Sequence, residues 1–272
     1  MTSKQKQLDA VLAQLATDYK RLNTTQQSSA IKAIHSVRLD INDLLTDFSS
    51  TGGVIKTNRL KQLLREFDTI EDLIRSRGTA VMSEVVTKSS EFTVSGINAG
   101  FISVLGVKAV DKAVISLVNE NVFEAVVKRY EADGLILSDR IWRLAGNERD
   151  KLTSVVRSGI IQGKSVNELV ADIRRVQDRG TYAIKRMVVT EGNTARRAAT
   201  SQVAGRSDLI AGLKLHAGWH HSVPSVALSK DDTYGLGVGV YPPEASEIYN
   251  PHPYCTSYIT YVLKGGGSSD FE

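Results

Sequence analysis

Thr190-Glu191-Gly192-Asn193-Thr194-Ala195-Arg196-Arg197-Ala198-Ala199 reads as a basic helix, and Ser257-Tyr258-Ile259-Thr260-Tyr261-Val262-Leu263 reads as a strand. Between them the texture changes. Gly, His, Trp and Pro become frequent, in Gly218-Trp219-His220-His221, in Pro242-Pro243 and in Asn250-Pro251-His252-Pro253-Tyr254-Cys255. Leu213-Lys214-Leu215-His216 and Gly237-Val238-Gly239-Val240 look like short strands separated by turns. Four of the five histidines and the only cysteine fall in this C-terminal block, so special chemistry is expected there.

The preceding chain is helical in pattern. Leu8, Val11, Leu12, Leu15, Tyr19 and Leu22 follow an i, i+3, i+4, i+7 spacing, and Asn23-Thr24-Thr25 is expected to end that helix. A second helix is predicted through Ile31, Ile34, Val37, Ile41, Leu44, Leu45 and Phe48, making an antiparallel pair with the first. A third carries Leu60, Leu63, Leu64, Phe67, Ile70, Leu73 and Ile74, with an interruption expected at Arg75, Arg77 and Gly78. The weakly charged stretch from Phe92 to Val107, with Gly96, Gly100 and Gly106, reads as a buried glycine-rich helix contact or a connector. It is shorter than the roughly 20 residues a membrane-spanning helix needs. Val107 to Tyr130 reads as another long helix.

At Asp133-Gly134 a turn leads into a helix that Ser138 can cap, with Trp142 as a core anchor and Gly163 as its stop. Ser165-Val166-Asn167-Glu168 has the spacing of a capping box, in which hydroxyl and carboxylate satisfy each other's backbone amides. A further helix follows from about Tyr182 to Val203. The expected class is α+β: a predominantly helical N-terminal half with a small mixed α/β C-terminal domain. The expected divisions are 1–132 as an extended helical region for docking or oligomerisation, 133–264 as the mixed domain, and 265–272 as a flexible tail.

A net charge of +4 permits contact with nucleic acid or an acidic partner without demanding it. One cysteine makes no internal disulfide, which fits folding in a reducing cytoplasm. The N-terminus has no continuous apolar core, so no secretory signal is expected. Arg174, Arg175, Arg179, Lys185, Arg186, Arg196, Arg197 and Arg206 stand among only three acidic residues, Asp172, Asp178 and Glu191. Such a density of cations suits phosphates or an acidic protein, and Arg174, Arg175, Lys185, Arg186, Arg196 and Arg197 are the candidate contacts.

His216, His220, His221, His252 and Cys255 are residue types that bind zinc, but their spacing does not define a ligand set, and no metal or other cofactor is expected. Cys255 near His252 raises the possibility of an activated nucleophile; without an oxyanion-hole motif, a buried inert cysteine is the expected state. Glu191 beside Thr190 reads as a cap or dipole partner at a helix start. No phosphate-binding loop, dinucleotide turn or His-Glu-x-x-His helix is present, and no catalytic residue is assigned.

Thr190-Glu191-x-x-Thr194-Ala195-Arg196, Gly218-Trp219, Pro242-Pro243 and His252-Pro253-Tyr254-Cys255, in that order before a terminal strand, resemble the phage Mu F-like minor head proteins. The lead-in from Asp133 through Trp142 to Gly163-Lys164-Ser165 is also similar, so the resemblance runs from roughly Glu131 to Leu263. The chain departs from many members in lacking a second cysteine after Cys255, where Thr256-Ser257 follow. The resemblance implies a structural, non-enzymatic, low-copy virion component made in the bacterial cytoplasm and placed in the head interior or at the portal vertex. Its implied partners are the portal protein, the major capsid protein and packaged DNA, with roles in head assembly or genome delivery. A membrane is not an expected partner outside delivery. Trp142, Glu191, Trp219, His252, Pro253 and Cys255 are then structural motif positions. Two rival readings remain at this point: a toxin-like or transferase-like enzyme domain using Glu191, His220 and Cys255, and a zinc-stabilised binding module.

Overall fold

Two apolar cores, each lined mainly by helices, account for most of the buried side chains in the computed structural model, which describes residues 3–131, 133–218, 223–249 and 255–265. The helices are α1 (Ser3–His35), α2 (Val37–Phe48), α3 (Leu60–Leu105), α4 (Lys112–Lys128), α5 (Leu137–Ile161), α6 (Val166–Arg179), α7 (Tyr182–Ala204) and the short α8 (Val223–Leu228). Three strands, β1 (Ile210–His216), β2 (Val240–Tyr241) and β3 (Tyr258–Leu263), form an antiparallel sheet in the order β2-β1-β3. The helix-rich α+β class is therefore as expected, and the sheet lies where the sequence texture changes.

The chain forms two compact units, both discontinuous: Met1–Gln26 with Ser83–Lys128 and Arg186–Glu272, and Gln27–Met82 with Arg129–Lys185. A single division near residue 133 does not separate them, because each draws on chain from both sides of that point. Residues 266–272, most of the expected tail, lie outside the described residues.

In the first unit, Leu8 and Leu12 of α1, Val94, Ile97 and Phe101 of α3, and Val118 and Val122 of α4 share one core with Ala195, Ala199 and Val203 of α7. Leu213, Leu215, Ile259 and Tyr261 bring the sheet into the same core. The glycine-rich stretch is helix, and its glycines allow close passage of α1. A Cβ at Gly96 would lie 2.2 Å from a Leu15 methyl, and one at Gly100 would lie 3.0 Å from Val11. Gly106, with φ +75°, ends α3 in the left-handed region that glycine tolerates best. The expected helix from Val107 begins only at Lys112, because Asn98 accepts the amides of Ala109 at 2.9 Å and Val110 at 3.1 Å and holds that segment as a loop. Asp111 then accepts the Val114 amide at 2.9 Å, as a helix cap does.

The expected break at Asn23-Thr24-Thr25 does not occur. Thr24 and Thr25 donate back to the carbonyls of Lys20 at 2.9 Å and Arg21 at 3.2 Å, which lets hydroxyl residues sit inside a helix. Asn23 is buried rather than turned to a loop. The register of the sheet is fixed by pairs such as Leu213 with Tyr241 on one side and His216 with Tyr258 on the other, with an irregularity between Ile210 and Gly212. β3 is an edge strand, and Gln5 of α1 occupies its free edge. The Gln5 amide donates to the Tyr261 carbonyl at 2.7 Å, and its oxygen accepts the Leu263 amide at 2.9 Å.

In the second unit, Val37, Ile41 and Leu45 of α2, Leu63, Phe67 and Ile70 of α3, and Ile141, Leu144 and Leu152 of α5 are buried. No interruption occurs at Gly78, where a Cβ would meet Ile141 at 3.1 Å; the glycine serves close helix passage rather than a break. Ser138 is not the cap of α5, whose first residue is Leu137; Asp139 instead accepts the Ile136 amide at 3.3 Å. The capping box of α6 is present, with Glu168 accepting the Ser165 amide at 2.8 Å. Gly163 follows α5 with φ +73°. Among the described residues, no helix is long and apolar enough to cross a membrane.

Candidate functional site

The site grows from α7. From Val188 to Arg197 every residue of this helix is buried, although the segment carries one glutamate, one asparagine, two threonines and two arginines. A helix buried all round normally reads as apolar. Here each polar group needs an internal partner instead. Thr190 and Thr194 meet that need by donating to the carbonyls of Arg186 and Thr190, both at 2.8 Å.

One side of α7 meets α1 and α3. A Cβ at Gly192 would stand 2.6 Å from the Tyr19 hydroxyl, 2.9 Å from Asn23 and 3.3 Å from Ser89. Those three side chains form a buried polar layer with Gln26: Tyr19 lies 3.1 Å from Ser89, and Gln26 donates to the Val85 carbonyl at 3.2 Å. Burial pushes the Tyr19 hydroxyl up to about 12, so it remains a neutral donor at ordinary pH. The Arg196 guanidinium lies 5.0 Å over the Tyr19 ring, and burial brings it down to about 10, which leaves it charged.

The other side of α7 meets the segment entering β3. Asn193 donates to the Cys255 carbonyl at 2.6 Å. Arg197, one turn further, donates to the Ile248 carbonyl at 3.0 Å and to the Cys255 sulfur at 3.1 Å, and also bonds the Ser257 hydroxyl. The same sulfur is 2.9 Å from Ser257 Oγ and 3.3 Å from Ser225 Oγ of α8. Burial raises the Cys255 thiol, but Arg197 and the two hydroxyls outweigh it and hold the group below its ordinary value. Cys255 is only 1 % exposed, so the sulfur is closed to a substrate.

Arg196 and Arg197 therefore cannot meet phosphate as the sequence suggested; both are interior cations on a helix covered on two sides. Glu191 is not at a helix start but in the middle of α7, with no exposure at all. Trp142 is 55 % exposed rather than a core anchor, and Arg75 stacks over its ring at 4.2 Å. Arg174 and Arg175 are exposed, paired with Asp178 at 3.8 Å and Asp172 at 2.8 Å. Lys185 is half-buried and Arg186 exposed. Neither makes an ion pair among the described residues.

Trp219, His220, His221, His252 and Pro253 lie outside the described residues. His216 bonds Thr260 at 2.9 Å and stacks on Tyr258 at 4.7 Å; burial, then the nearby Lys214 charge, brings its imidazole down to about 4. Among the described residues, no three His, Cys, Asp or Glu side chains gather as a metal would require. Sequence reasoning missed the partnership of Arg197 with Cys255 and Ser257, and of Cys255 with Ser225. The i, i+4 spacing of Asn193 and Arg197 was the available signal, since it places both on one helix face.

No protein-family model, no curated protein and no solved structure matches the chain.

Proposed function

We propose that this protein is a structural minor head protein of a tailed phage or prophage, bound at the portal and acting in head assembly or genome delivery. The observation that supports the reading is the meeting of two ends of the stretch that resembles the Mu F-like proteins. The helix segment from Thr190 to Arg197 and the segment at Cys255 are far apart in sequence, yet Asn193 and Arg197 bond directly to Cys255. Motif residues that bond to one another inside the fold act as a fold signature. They are spent on holding β3 against α7, which suits a structural role better than an open catalytic cleft.

Of the six candidate contacts, Arg174, Arg175 and Arg186 are exposed and Lys185 is half-buried. DNA in a filled head presents dense phosphate, so even a few exposed cations are attracted to it. The test is co-expression of the full chain with the portal protein of the same genome, followed by size and mass measurement at low and moderate salt. A discrete complex supports the assignment. A stable chain that never associates with portal or capsid protein argues against it.

A further inference from the structure

The single cysteine of this chain sits where charge and hydrogen-bond geometry agree on one ionisation state. Arg197 is 6 % exposed, and among the described residues no carboxylate pairs with it. A guanidinium cannot lose its proton at ordinary pH, so a buried one requires an anion or a large desolvation penalty. Its ionisable neighbour is the Cys255 sulfur, 3.1 Å from Nη2.

The sulfur in turn is surrounded by donors. Besides the guanidinium N–H, Ser257 Oγ at 2.9 Å and Ser225 Oγ at 3.3 Å lie within hydrogen-bond reach of it from two further segments. Ser257 also accepts from Arg197, which leaves its own hydrogen free for the sulfur. A neutral thiol is a weak acceptor that needs one acceptor of its own. An anionic sulfur instead accepts from the guanidinium and from both hydroxyls at once.

We infer that Cys255 is a thiolate in the folded protein, and that its buried ion pair with Arg197 fastens the start of β3 and the helix α8 to α7. Arg197 is the charged group facing the sulfur from α7; α8 supplies Ser225, and the β3 approach supplies Ser257. The pairing explains why the segment tolerates an arginine in the interior of a small sheet domain. It also makes Cys255 a positioning residue for the C-terminal strand rather than a spare thiol, and it holds whatever partner the protein binds.

Because the chain has one cysteine, its far-ultraviolet thiolate absorbance reports Cys255 alone once the signal of a Cys255→Ser chain is subtracted. The full chain is titrated folded and again in denaturant. The denatured chain should titrate near the ordinary thiol value of roughly 8.5, and the folded chain below it. An Arg197→Gln chain, if it folds, should titrate above the folded parent. A folded parent whose sulfur is still mostly protonated at neutral pH, or whose midpoint is at or above the denatured one, overturns the inference, and that comparison needs no arginine variant to fold.

Discussion

The side-chain amide of Asn193 donates to the carbonyl oxygen of Cys255 at 2.6 Å, joining the centre of α7 to the approach of β3. Both groups are buried. Asn193→Ala removes the donor and leaves a buried carbonyl unpaired, a loss of about 1–3 kcal/mol. Urea unfolding should show a lower midpoint with an unchanged slope. An unchanged midpoint would mean that β3 is held without this bond.

Glycine substitutions separate close passage from empty space. Gly192→Ala places a methyl 2.6 Å from the Tyr19 hydroxyl and within reach of Asn23 and Ser89, so the polar layer must move. The expected cost is about 1–3 kcal/mol of overpacking. Gly146→Ala in α5 meets nothing nearer than 3.9 Å and should stabilise by about 0.5–1 kcal/mol through helix propensity. Thermal melts of the two variants should move in opposite directions; a shift of the same sign in both would refute the packing account.

Much of this was legible in the sequence. Apolar spacing located the helices, and the Ser165–Glu168 capping box and the run before Leu263 were read as they stand. The failures share a physical cause. Asn23 and Gly78 look like breaks because polar or glycine residues disfavour an isolated helix. Tertiary contacts reverse that preference when a threonine bonds back to its own helix or a glycine admits a neighbour. Arg196 and Arg197 looked like surface cations because composition does not report which helix is covered on both sides. The interleaving of the two units was invisible, since it depends on which distant segments pack together.

His216 gives the protein a pH dependence of definite sign. Its folded value is about 4, and the unfolded imidazole titrates near 6.5. Between those values the unfolded chain binds the proton and the folded chain does not. The stability contribution is therefore complete above about 6.5 and is lost as pH falls toward about 4. An imidazole NMR titration should show a midpoint near 4 for His216, assigned separately from His35, which burial shifts in the same direction. A midpoint near 6.5 would show that His216 is not enclosed against Tyr258 and Thr260.

If exposed cations contact packaged DNA, Arg174→Gln, Arg175→Gln and Arg186→Gln should each weaken binding and lower the salt slope by about one. Arg75→Gln, whose guanidinium is part-buried between Glu71 at 2.7 Å and the Trp142 ring, should change that slope little. Binding that is indifferent to salt removes DNA contact from the account while leaving portal contact open.

If this chain is a virion component, quantitative mass spectrometry of purified particles made by the genome that encodes it should detect it. The expected result is a few copies per particle, far below the major capsid protein and retained after nuclease treatment and density purification. Particles with a full complement of portal and capsid protein but none of this chain would contradict it.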